Sequence, residues 1–145
     1  MMDNPAPLSI AARNKKNYLA AKQAFNENRI DDCAGFYAPD HQIKSRPAEK
    51  GRQEIRKFFE TLHATWPGLR IDVEHALAED DWVMGHSRTT ATHSKAVLGV
   101  APTNRRIEKV FWDLHRFDAA GLIVESWNLT DSLAIMQQLG LVKGP

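Results

Sequence analysis

The chain has 145 residues, a length that suits one domain around a single core. Its 43% hydrophobic and 26% charged residues exclude a disordered or fibrous chain. The formal net charge of +1 gives no overall field to draw nucleic acid or an anionic membrane surface. No apolar run approaches the ~20 residues of a membrane span, and the opening MMDNPAPLS lacks the basic and apolar regions of a secretory signal. The single Cys33 cannot form an internal disulfide, which suits a reducing cytoplasm, the expected location.

Residues 1–10 read as a flexible N-terminal segment and residues 11–142 as one domain. A helix is predicted over 11–29, where Tyr18, Leu19, Ala21, Ala24 and Phe25 recur near helical spacing among lysines. Asp31 is placed to cap a short helix over 32–37, ended by Pro39, and 41–44 reads as a short strand. Residues 51–66 form the next helix. Its Ile55, Phe58, Phe59, Leu62 and Trp66 make an apolar stripe read as core, and Pro67-Gly68 stops it.

The period then changes from helical to alternating. Strands are predicted over 69–77, 82–94, 105–117 and 122–129, with turns at 79–81 and at 118–121, where Gly121 can take positive φ. A short helix over 132–139 closes at Gly140. Helices followed by a meander of long strands give an α+β arrangement, with the helices on one face of a largely antiparallel sheet that can enclose a pocket.

On the third long strand Asp113, His115 and Phe117 share one face, opposite Trp112, Leu114 and Arg116. A carboxylate and an imidazole at a step of two are costly on a plain core face, so a polar pocket is expected there, against a solvent-facing ion pair. The six histidines show no ligand spacing, and His75 and His86 are expected to meet only as a surface pair across their hairpin; no metal or cofactor is expected. Trp82 and Trp112 suit a face that pairs with another chain.

Three stretches carry a family pattern. GHSRTTATHSKAVLGVAPTNRRIE, WDLHRFDAAGLIVESWNLTD and GRQEIRKFFETLHATWPGLRIDVEHALAEDDWV resemble SnoaL-like polyketide cyclases, of the nuclear transport factor 2-like superfamily. The chain departs from that pattern at Lys95 and Asn104, which stand where the family has glycines; Asn tolerates left-handed φ. The resemblance implies a cone, a strongly curved mixed sheet wrapped by helices on its concave side (a cystatin-like α+β barrel), and homodimers built through sheet faces. It implies a small hydrophobic molecule as ligand and aldol-type ring closure without metal or cofactor.

The same resemblance makes Asp131 the general base, with the N-cap of the last helix as its ordinary alternative. His115 is then a proton partner and Asp113 a polar anchor. Trp127, His93, Phe117 and Tyr18 are the expected substrate contacts. Trp127 is set at the pocket wall by its parity with Glu125 and Leu129. His93 doubles as a brace for the loop over 92–108, whose apolar tip is expected at the pocket rim. The stretch 113–117 also resembles ketosteroid isomerases, in which Asp113's counterpart is a protonated acid. Ala21 and Ser45 stand where that enzyme's tyrosine and base are expected, so that pattern is incomplete. Two further readings remain: a binding protein without turnover, and an epoxide hydrolase, which needs an arginine (Arg88 or Arg116) between two pocket carboxylates.

Overall fold

The computed structural model describes residues 6–46 and 50–143. The flexible segment expected over 1–10 therefore falls outside the described residues at 1–5; Ala6–Ser9 are exposed coil. The elements are α1 (Ile10–Asn26), α2 (Ile30–Ala34), β1 (Tyr37–Ile43), α3 (Arg52–Thr65), β2 (Arg70–Glu79), β3 (Trp82–Thr92), β4 (Arg106–Phe117), β5 (Ile123–Thr130) and α4 (Ser132–Gln138). They form the α+β architecture expected, with a mixed sheet in the order β1-β5-β4-β3-β2. The pair β1–β5 is parallel and the others antiparallel. No helix among the described residues is long and apolar enough to cross a membrane.

Ser9 starts α1, its Oγ accepting the Ala12 N–H at 3.1 Å. The helix buries Asn14, Tyr18, Ala21, Ala24 and Phe25, positions at helical steps of three and four. The second helix ends at Ala34 rather than at residue 37, and the first strand starts at Tyr37 rather than at 41. Pairing with β5 explains the difference: Tyr37 lies opposite Ile123, whose N–H donates to the Phe36 carbonyl at 2.9 Å. Pro39, which has no N–H to give, falls inside the register shift between Tyr37 and Gln42, so no ladder bond is lost.

In α3, Ile55 and Phe59 are buried, whereas Phe58, Leu62 and Trp66 remain partly open on its inner side. The turn at 118–121 is closed by the Asp118 carboxylate, which accepts from Ala120 N and Leu122 N, with Gly121 at φ 83°. Asn104 takes φ 55°, the left-handed conformation that Asn tolerates better than most residues.

Packing of α1 across the sheet depends on Gly85 of β3. A Cβ built there would lie 1.8 Å from the Tyr18 hydroxyl and 2.7 Å from Asp113 Oδ1. Only a bare backbone lets the ring of Tyr18 pass over the strand to reach β4. Gly85→Ala should therefore cost about 1–3 kcal/mol of stability by overpacking, seen as a lower urea midpoint at unchanged slope; an unchanged midpoint would contradict this close approach.

Candidate functional site

Between the helices and the inner face of β2–β5 lies a cavity of about 440 Å³, a volume ordinary for small-molecule sites. Phe25 of α1, Phe58 and Leu62 of α3, Trp66 at its C-cap, and Ile107 and Phe111 of β4 give it an apolar wall. The α3 stripe thus faces a hollow and not, as its spacing suggests, a filled core. Phe59 belongs to both, buried at 8% exposure and touching the lining.

The polar floor begins at Asp113, whose side chain has no exposure to bulk solvent. Three groups donate to its carboxylate: Tyr18 Oη to Oδ1 at 2.7 Å, Lys22 Nζ to Oδ2 at 2.6 Å, and His115 Nε2 to Oδ2 at 2.9 Å. Tyr18 and Lys22 are one turn apart on α1, so both reach the same carboxylate. Burial pushes the Asp113 carboxyl up, but Lys22 and His115 together outweigh it and hold the group well below the usual carboxylate range. Asp113 is therefore an ionised acceptor. It is not the protonated acid of the ketosteroid isomerase pattern, and the tyrosine bonded to it is Tyr18, not a residue at Ala21. The Tyr18 phenol is raised, first by burial and then by Asp113, and stays protonated.

The line continues through His115, buried at 2% exposure. Its Nδ1 lies 2.7 Å from Ser126 Oγ, which in turn lies 2.7 Å from His41 Nε2. The protons can be ordered by elimination. An ionised carboxylate only accepts, so His115 Nε2 carries hydrogen. When the ring carries that proton alone, Nδ1 is a lone pair and takes the Ser126 hydroxyl proton. The serine oxygen accepts from His41 Nε2–H. His41 is held neutral: burial, then the neighbouring His115, lowers its pKa from 6.5 to about 4, against a smaller opposing effect of Asp40. Ser126 and Asn128, alternate residues of β5, both line the cavity.

The expected site residues separate into two groups. Asp113, His115 and Tyr18 come together at the cavity floor. Phe117 is buried on the same side but in the core beneath the floor, outside the lining. Trp127 lies on the outer face, its ring tilted against that of Trp82 with centroids 5.6 Å apart. Its register partner is Leu114, which points away from Asp113 and His115, and a one-residue change of parity reverses the face. Asp131 is exposed and caps α4, its Oδ1 accepting the Ala134 N–H at 3.0 Å, and it does not line the cavity.

His93 is fully buried and braces its loop: Nδ1 lies 2.9 Å from Thr103 Oγ1, and its backbone N–H and C=O bond Arg105 and Asn104. Residues 92–106 contribute nothing to the cavity lining; the tip turns tightly at Leu98-Gly99 in solvent, so it does not form the rim expected of it. Lys22, His41, Ser126 and Gly85 were missed. The one signal in the sequence was the Tyr18–Lys22 spacing of four.

The epoxide-hydrolase set is not assembled. Asp113 is the one carboxylate lining the cavity among the described residues, Arg88 pairs with Glu74 and Glu108, and Arg116 pairs with Glu125. His75 and His86 do meet, Nδ1 to Nδ1 at 3.2 Å. With Glu74 they form a group whose atoms lie within 4.8 Å of one another and could hold a metal ion, outside the cavity.

Residues 15–139 match the profile of SnoaL-like polyketide cyclases. The chain belongs to that family. No protein of curated function matches it. Solved structures share the fold. AclR of Streptomyces galilaeus, described as a candidate hydroxylase, is 25% identical with TM-score 0.80, over 93% of this chain and 85% of its own. IdmH of Streptomyces antibioticus, described as a candidate polyketide cyclase, is 24% identical with TM-score 0.79, over 88% and 98%. A SnoaL-like protein of Jannaschia sp. CCS1 is 22% identical with TM-score 0.80, over 98% and 100%.

The neutral His41 ring makes stability depend on pH. Its folded pKa lies below the unfolded value, so the fold is fully stabilised above about pH 6.5 and weakens as pH falls toward 4. Unfolding free energy should drop by about 2–3 kcal/mol between pH 7 and 4.5 from this group. His41→Gln, which keeps a donor for Ser126, should flatten that window; equal slopes in urea titrations would contradict the assignment.

Proposed function

We propose that the chain is a cofactor-free acid–base enzyme acting on a small hydrophobic carbonyl compound, by an intramolecular aldol closure of the kind its family name implies. The observation that carries this reading is the Asp113–His115–Ser126 line at the floor of an apolar cavity. Asp113 holds His115 with Nδ1 as the lone pair. Ser126 Oγ passes its proton to Nδ1 as it takes one from the acidic carbon of the substrate, while His41 continues to donate to that oxygen. The enolate oxygen is stabilised by the Lys22 ammonium, and the carbanion attacks the second carbonyl to form the C–C bond. The new alkoxide recovers the proton from His115 through Ser126.

This reading moves the base from Asp131 to His115. Deuterium incorporation into the methyl group of 2-acetonaphthone in D₂O, followed by NMR, isolates the first step. The protein should raise the rate above buffer, His115→Ala should lower it ~10²–10⁴-fold, and Asp131→Asn, which keeps the cap, should leave it within about twofold. Loss of exchange in Asp131→Asn with retention in His115→Ala would reverse the assignment. Binding of the ketone without exchange would leave a carrier protein.

We also propose homodimers through the outer sheet face. That face exposes Leu77 at 71% and Leu129 at 70%, with Met84, Val110 and Trp112 between them, apolar side chains that pairing with a second copy would cover. Sedimentation should give a dimer mass for the parent chain and a monomer mass for Leu129→Asp; a parent chain that stays monomeric as its concentration is raised would end this proposal.

A further inference from the structure

Lys109 stands on β4 four residues before Asp113, on the same face, and lines the cavity. Among the described residues three lysine or arginine side chains line it, Lys22, Arg46 and Lys109, against one carboxylate, Asp113. Lys22 is already joined to that carboxylate, and the Arg46 guanidinium lies 5.0 Å from the Phe58 ring. The Lys109 ammonium has neither an ion pair nor a hydrogen bond among the described residues. Burial lowers its pKa, the mark of an ammonium partly withdrawn from water with nothing set against it.

Beside it stands a second polar group without a partner. Thr130 lies opposite Phe111 on β5, one step along the same inner face, and its buried Oγ1 makes no hydrogen bond. Thr89, directly across β3 from Lys109, also lines the cavity. An ammonium and two hydroxyls thus form a strip of donors facing an apolar wall. Groups of this kind are costly to bury unused and gain most from an anion with several acceptor lone pairs.

We propose that Lys109, with Thr130 beside it, binds a carboxylate carried by the substrate, so that the natural ligand is a hydrophobic acid. The inference rests on the carbonyl-enzyme reading above and narrows its substrate class. Four residues of strand separate the Cα atoms of Lys109 and Asp113 by about 13 Å. The acid group therefore lies at the opposite end of the ligand from the carbon that loses its proton, and holding both ends fixes that carbon over Ser126.

Titration calorimetry with naphthalene-2-carboxylate and naphthalene-2-carboxamide tests this. The parent chain should bind the carboxylate ~10-fold more tightly than the amide. Lys109→Met should bind the two alike, with amide affinity within about twofold of the parent, and Lys109→Arg should restore the preference. Equal binding by the parent, as expected if Lys109 merely extends to solvent, would overturn the subsite while amide binding upheld the cavity. Preference surviving in Lys109→Met would assign it to another cation. Failure of both probes to bind would count against the small-molecule reading itself, and this inference would fall with it.

Discussion

A carboxylate removed from water must be surrounded by donors, and Asp113 meets that demand from two elements at once. Tyr18 and Lys22 come down from α1, and His115 comes from two residues along its own strand. Loss of any one would leave a buried charge less than satisfied, which costs far more than a surface pair returns. The position of α1 over the sheet is therefore tied to one side chain on β4. Gly85 supplies the space for that crossing, and Ser126 and His41 carry the same hydrogen-bonded line into β5 and β1. The strand order β1-β5-β4 is what makes those three side chains neighbours.

The cavity above this floor inverts the usual arrangement of a half-buried sheet. On β5 the inward residues are Ser126, Asn128 and Thr130, and the outward ones include Trp127 and the exposed Leu129. Apolar surface is supplied to the cavity from the opposite side, by the open stripe of α3. The outer face of the sheet is left with the apolar residues that β5 would otherwise have buried, which is why the proposed function and the proposed dimer draw on the two faces of a single strand.

That inversion also explains which parts of the site could be read in the sequence. On β4 a carboxylate and an imidazole two apart mark the inward face in the sequence itself, and the helix-then-meander order marks the architecture. On β5 the same rule points the wrong way: parity with Glu125 and Leu129 sets Trp127 at the pocket wall, and Asp131 is named a base by the family resemblance and not by any local pattern. Parity there is set by the pairing of His115 with Ser126, a long-range register that no local pattern encodes. Lys22 was hidden for a different reason. A lysine among lysines on an amphipathic helix reads as solvated, and only its spacing of four from Tyr18 marks it as sharing that residue's target.

The distribution of donors decides where basicity can reside. Asp113 is ionised, yet with three donors on two oxygens it is a weak proton acceptor, and taking a proton would release Lys22 as an unpaired cation. The Tyr18 phenol and the Cys33 thiol, pushed up to about 12 by burial, stay protonated and accept nothing strongly. His41 is neutral, but its Nε2 hydrogen is engaged with Ser126. His115 is the imidazole on the cavity floor, with Nε2 turned to the carboxylate and Nδ1 facing the substrate space across one hydroxyl. Protonating it sets an imidazolium against the Asp113 carboxylate, so the charge created by the reaction is met by a counter-charge already in place, and no group has to reorganise when the proton arrives.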